Sequence, residues 1–391
     1  MNALRIGAFR VYFVAFFLSG VGTWMHSFAQ SWLLYRMTGN NGLYLGYLGL
    51  LFALPMTLLT PFGGGLSDRF PRRTLLTVTQ VLSASLALLM AVAAAKGALR
   101  PWHILASQFA FAVLLAVDNP ARQSLVPDVV PKEALPSALA LNSAIFTGAA
   151  LVGPMFGGLL IGRLGAHGLF ALNAASFAIP LLTLRRLSLP AAPTGARSAH
   201  DTLGGFRYLW AAPALRKTVL FGVWLALFGR SYVQVLPVFA TQHFDVGARG
   251  YSAMLSAGGV GALLGAGLLA SLTHVTARER IVAIGAMVGA GALMVFARTH
   301  SLPVGLGALA VAGGAAVAAT TAAGTIIQTT VPPTLRGRVV SLHVVTVIGL
   351  PYMGSLLLAA LGRTWSPSHA LTAFAAASAT GGLAFLVRAR S

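Results

Sequence analysis

The acidic side chains bound the chemistry open to this sequence, because it has only seven: Asp68, Asp118, Asp128, Glu133, Asp201, Asp245 and Glu279. None lies in the middle of an apolar run, where a buried acid would carry a proton. Other polar groups do lie deep in such runs. His26 and Gln30 stand one helical turn apart, Arg230 and Gln234 repeat that spacing, and Gln108 and Asn142 sit singly. For a lone Asn or Gln, an interhelical hydrogen bond is the ordinary explanation. An Arg at the centre of an apolar helix costs about 2.5 to 3.5 kcal/mol to insert, so Arg230 needs a carbonyl-lined niche or a ligand pathway. In a pathway its guanidinium would offer planar donors to a carboxylate, phosphate or catecholate.

Enzyme signatures are missing. No GxxxxGK[ST] loop, HExxH pair or GxSxG elbow occurs, and there is no cysteine to supply a thiolate, a disulfide or a metal ligand. Without a nucleophile-base pair or a metal constellation, no enzyme, cofactor or metal is expected, and energy for any work must come from gradients.

Two runs place glycine beside chemistry or bends. The first is Gly64-Gly65-Leu66-Ser67-Asp68-Arg69-Phe70-Pro71-Arg72-Arg73. A basic loop at a membrane face requires neither this Asp nor this glycine spacing. The second, Gly153-Pro154 followed by Gly157 and Gly158, makes a bend with a smooth face. That suits either ordinary helix packing or a seal against another bundle.

The elements that must position these residues are membrane helices. Of 391 residues, 57% are hydrophobic and 9% charged, against roughly 25% charged in soluble domains. Mean hydropathy is +0.80. Apolar stretches predict twelve spans, near 9–35, 43–66, 74–95, 102–122, 136–162, 166–184, 217–241, 250–272, 281–297, 302–328, 339–361 and 369–387. With the N-terminus inside, 19 of the Lys and Arg residues lie inside and 7 outside, which predicts both termini in the cytoplasm. The same bias accounts for the net charge of +20 without a nucleic-acid partner. Ser27-Phe28-Ala29 resembles a cleavage site, but the apolar run continues past it to Leu34, so a retained first span is expected.

The polar stretch after the sixth span predicts a six-helix half at 1–186, a cytoplasmic linker at 187–213 and a second half at 214–391. Within the linker, Phe206, Leu209 and Trp210 beside Arg207 suit either a short interfacial helix or an irregular tether. A weak repeat supports the halves: Gln123 to Pro127 recurs as Gln328 to Pro332, and Pro154 has a counterpart in Pro351.

The run from Gly64 to Arg73 resembles the signature between helices two and three of the major facilitator superfamily, with Pro71 where that family usually has a second Gly. The likeness sharpens to its bacterial drug- and siderophore-exporting branch. It is carried by FRVYFVAFFLSGVGTWMHSFAQSWLLYRMTGN at 9–40, DNPARQSLVP at 118–127, ALALNSAIFTGAALVGPMFGGLL at 138–160 and LRGRVVSLH at 335–343. The run at Gly153 resembles the antiporter motif of exporting members, with Ala149 where a Gly is usual.

The resemblance implies an all-α polytopic protein of the major facilitator fold, a monomer in a bacterial inner membrane. It implies export of small organic molecules by alternating access, coupled to protons through Asp118, His26 or His343. Gly64, Asp68, Arg69, Arg72, Arg73, Asp118 and Arg122 would form its gating motif, with Asp68 near Arg338 to Ser341 and Arg72 near Asp118. Ser271 would be a weaker counterpart of Asp68. His26, Gln30, Gln108, Asn142, Arg230 and Gln234 would line the substrate cavity, and Arg230 would favour anionic substrates. A non-transporting sensor or scaffold on the same fold is the alternative reading.

Overall fold

The structure is a computed structural model that describes residues 2–187, 207, 209–271, 278–332, 346–347 and 349–388. Among the described residues twelve principal helices follow the apolar runs. The first six are α1 (Gly7–Met37), α2 (Leu43–Arg69), α3 (Arg72–Ala95), α4 (Pro101–Val129), α5 (Leu135–Ser176) and α6 (Ala178–Arg186). The others are α7 (Pro213–Gly229), α8 (Gly247–Ser271), α9 (Arg278–Arg298), α10 (Leu302–Thr330), α11 (Leu350–Thr364) and α12 (Pro367–Arg388). Among the described residues ten stretches are long and apolar enough to cross a membrane. One of them, Lys132–Arg186, holds two spans, and α11 adds the twelfth.

Sequence punctuation sets the ends. Proline opens α4, α7 and α12, where its missing N–H costs no hydrogen bond. Gly39 and Asn40, with φ of 65° and 62°, end α1. Gly165 divides α5 into two helical stretches: its φ of 61° and ψ of −177° are non-helical and lie where a Cβ is strained. Two prolines, Pro120 and Pro127, lie inside α4. The helix therefore runs on past the predicted end at 122, and QSLVP lies within it, whereas the matching QTTVP straddles the end of α10.

The chain divides into two compact units: Met1–Gly39 with Leu54–Ala199, and Asn40–Ala53 with His200–Ser391. The first half of α2 therefore packs with the second unit, Gly46 against Leu356 and Gly49 against Tyr352. In unit 1, α1 lies along α5, and Phe9, Tyr12, Phe16, Leu76, Leu125 and Ile145 fill a core between α1, α3, α4 and α5. In unit 2, Phe221, Leu225, Val282, Ala286, Ala323 and Phe385 do the same between α7, α9, α10 and α12. Large apolar side chains also face outward: Leu89 is 66% and Leu264 67% exposed. An apolar rim of that kind suits contact with lipid. In the linker, Arg207 and Leu209 to Ala211 are helical; Leu209 is buried against Leu215 and Ile327, and Phe206 lies outside the described residues.

Candidate functional site

In unit 1 the signature run occupies helix ends rather than a loop. α2 continues to Arg69, which is exposed, and α3 starts at Arg72, leaving Phe70 and Pro71 as the connection. Pro71 has φ −55° and ψ 125°, so this turn needs no glycine. The glycine that matters is Gly63, where a Cβ would run into the carbonyl of Ala116. It lets α2 cross α4 next to Asp118. Gly64 and the side chain of Asp68 lie outside what the structure describes.

Asp118 is 5% exposed and both its oxygens are engaged. Thr79 Oγ1 and Gln80 Nε2 each donate to Oδ1 at 2.8 Å, and Arg122 Nη2 faces Oδ2 at 3.2 Å. Arg122 also donates to Asn119 Oδ1 at 2.8 Å and lies 5.4 Å from the Phe16 ring centre. Arg72 was expected beside Asp118, but it pairs with Asp128 instead. The reason is register: Arg72 precedes Thr79 and Gln80 by about two turns and Asp128 follows Asp118 by nearly three, so the antiparallel helices match these groups in two tiers. Arg73 donates to the carbonyl of Leu187. Thr79 and Gln80 were not singled out in the sequence, where Thr-Gln inside an apolar helix was the available signal; Asp128 stood there only as one of the seven acids, and it lies in the last turn of α4.

The α1 candidates make contacts within unit 1. Gln30 is 2% exposed and its amide nitrogen donates to the Ile104 carbonyl at 3.0 Å and to Ser107 Oγ at 3.3 Å, both on α4. His26 lies against Phe170, ring centres 4.4 Å apart, one turn from Gln30 on α1. Its Nδ1 is buried with no hydrogen-bond partner among the described residues. Asn142 Oδ1 accepts from the buried Tyr12 hydroxyl at 2.8 Å. Gln108 is half-buried.

The glycines of the antiporter-like run pack against α1 of the same unit. A Cβ on Gly153 would lie 2.5 Å from Trp24 Cβ, and one on Gly157 2.6 Å from Phe28 Cδ1. Pro154 and Gly158 are buried beside them.

In unit 2 the seventh span is broken at its middle. α7 ends at Gly229, and Arg230 (φ −121°, ψ −3°) leads into a 3-10 segment Ser231–Val235, one helical turn Leu236–Val238 and a π turn Phe239–His243. The expected continuous helix is absent, so Arg230 and Gln234 do not share a face by the 3.6-residue rule. Arg230 occupies the C-cap of α7, where the helix carries about half a negative charge. That pole offsets the guanidinium without a carboxylate. Its Nη1 donates to the Val347 carbonyl at 3.3 Å, and the phenols of Tyr232 and Tyr352 are its electrostatic neighbours. Gln234 is half-buried on the 3-10 segment. His343, the segment Arg338 to Ser341 and the side chain of Ser271 lie outside the described residues, and with them the expected Asp68 contact.

The sequence pattern of the family described as "Transmembrane secretion effector" matches residues 1–390. The chain is 27% identical over 381 residues to the enterobactin exporter EntS of Shigella boydii serotype 4, spanning 96% of this chain and 88% of that protein. It is 26% identical over 376 residues to the multidrug efflux pump Tap of Mycolicibacterium fortuitum, spanning 92% and 88%. A shorter match, 27% over 170 residues, covers 43% of this chain and 39% of the uncharacterized MFS-type transporter YfiS of Bacillus subtilis. Among solved structures, a bacterial homologue of the human lysosomal transporter Spinster, inward-facing and occupied, superposes with a TM-score of 0.79 at 15% identity, covering 100% of this chain and 98% of that one. A bacterial homologue of the iron transporter ferroportin gives 0.70 at 18%, covering 99% and 98%. The twelve helices have the major facilitator fold, and the chain belongs to the transmembrane secretion effector family, whose members are multi-pass membrane transporters rather than enzymes.

Proposed function

We propose that this protein exports small organic molecules, drug-like or siderophore-like, across the bacterial cytoplasmic membrane by alternating access driven by protons. It works as a monomer with both termini in the cytoplasm, and the halves 1–186 and 214–391, joined by 187–213, move against each other. The carrying observation is Arg230: a half-buried cation at a mid-span helix break, with one hydrogen-bond partner among the described residues. Among the described residues four of its five N–H donors are left for a ligand, and broken membrane helices recur at transporter binding sites. Anionic or polyhydroxylated substrates follow from that charge. Exporters of a siderophore and of drugs among the relatives support the direction of transport.

Asp118 is held by three donors and acts as a lock between α3 and α4. His26, with its unpartnered ring nitrogen, is the better proton carrier of the two. Efflux from proteoliposomes, over anionic, neutral and cationic compounds with and without a proton gradient, tests the reading. Gradient-stimulated transport favouring anions is expected, and Arg230→Gln is expected to erase the preference. A folded, inserted protein that moves nothing in that panel would favour the sensor or scaffold.

A further inference from the structure

Unit 2 contains a cavity of about 260 Å³ whose lining includes Val235, five residues beyond the Arg230 C-cap, but not Arg230 itself. It is slightly smaller than the roughly 300 to 1,000 Å³ typical of ligand sites, so it suits a fragment-sized molecule. Its floor is apolar, with Val238, Phe239 and Leu358. Its polar wall is Asn40, Asn41, Gln242 and Arg363. Among the described residues no carboxylate lines it, and the Arg363 guanidinium, exposed at its edge like Gln242, has neither a hydrogen bond nor an ion pair.

Local backbone builds this wall from three places. The Gly39–Asn40 turn in the left-handed region presents the Asn pair, and Asn41 Oδ1 fixes it by accepting from the Leu43 amide at 3.1 Å. The π turn Phe239–His243 presents Phe239 and Gln242, and π turns inside helices are frequent at functional sites. The end of α11 supplies Leu358 and Arg363. A planar fork of donors beside carboxamides and an apolar floor suits an oxyanion on an apolar body, carboxylate or phosphate, and the small volume favours the carboxylate.

We propose that this cavity is a second ligand site, selective for small organic carboxylates and independent of Arg230. In the N-inside orientation it opens at the outer face.

The test is equilibrium dialysis of labelled salicylate against protein in phosphatidylcholine nanodiscs, in an Arg230→Gln background that removes the first cation. Saturable binding is expected, with benzylamine failing to compete. Arg363→Gln is expected to weaken binding at least tenfold. Ala359→Phe, which keeps every charge and fills the cavity, is expected to do the same, and thermal unfolding checks that each variant is folded. Unchanged binding in either folded variant, no saturable binding at all, or equal competition by benzylamine overturns the proposal. Phosphatidylglycerol in the disc provides the last arm. Displacement of salicylate by it would assign the cavity to a lipid phosphate and overturn the carboxylate assignment; undiminished binding supports it.

Discussion

Asp118 and Arg122 face each other across one turn of α4 at 3.2 Å, with Thr79 and Gln80 of α3 completing the shell around the carboxylate. The pair therefore ties two helices as well as two charges. Asp118→Asn strands Arg122 and weakens the α3 contact; breaking a largely buried pair costs several kcal/mol, discounted here to about 2 because Arg122 is partly exposed. A fall of several degrees in Tm is expected in detergent. The double variant with Arg122→Gln should be milder than the sum of the singles by about 1 kcal/mol or more, and strict additivity would show that the two do not interact.

Arg72 and Asp128 form the outer tier, with side chains 22% and 18% exposed. A pair this accessible contributes about 1 kcal/mol or less to stability. Charge reversal at Arg72→Asp is thus expected to leave Tm within a few degrees while reducing transport, and adding Asp128→Arg should recover much of it. Transport that follows Tm across this series would make the pair structural only.

His26 carries the proton-coupling reading. In proteoliposomes, His26→Ala should abolish stimulation by a pH gradient while counterflow exchange, which needs no gradient, continues. Stimulation persisting in the variant would move coupling to another group.

Glycines on one helix should differ sharply. Gly157→Ala pushes a methyl into the ring of the buried Phe28, whereas a Cβ at Gly162 meets nothing within 4 Å. The first is expected to destabilise and the second to stabilise by up to about 1 kcal/mol through helix propensity. Thermal unfolding of the two purified variants, side by side, decides it.

The number of spans was legible because long apolar runs bounded by charge leave few alternatives. Partners were less so. Asp118 and Asp128 both stand near basic residues in sequence, and which one Arg72 meets depends on how far α4 continues through Pro120 and Pro127. Neighbouring helices can support such prolines in a membrane, so the apolar run alone stops too early. His26 and Gln30 share a face as their spacing requires, yet the amide of Gln30 reaches α4, because spacing says nothing of what lies opposite. The break at Arg230 was hidden for a related reason. Gly229 and Pro237 were the breakers near it, but both are common inside membrane helices, and 3-10 and π turns are set by packing rather than by residue type.

That break also changes how the seventh span should behave in time. From Ser231 to His243 the backbone exchanges a uniform ladder of hydrogen bonds for short, mixed ones, and amides in such stretches open at lower free energy than those of continuous helix. Deuterium should enter there sooner than in α9 or α10 of the same unit, making the seventh span a place where the protein loosens at mid-depth while its neighbours stay closed.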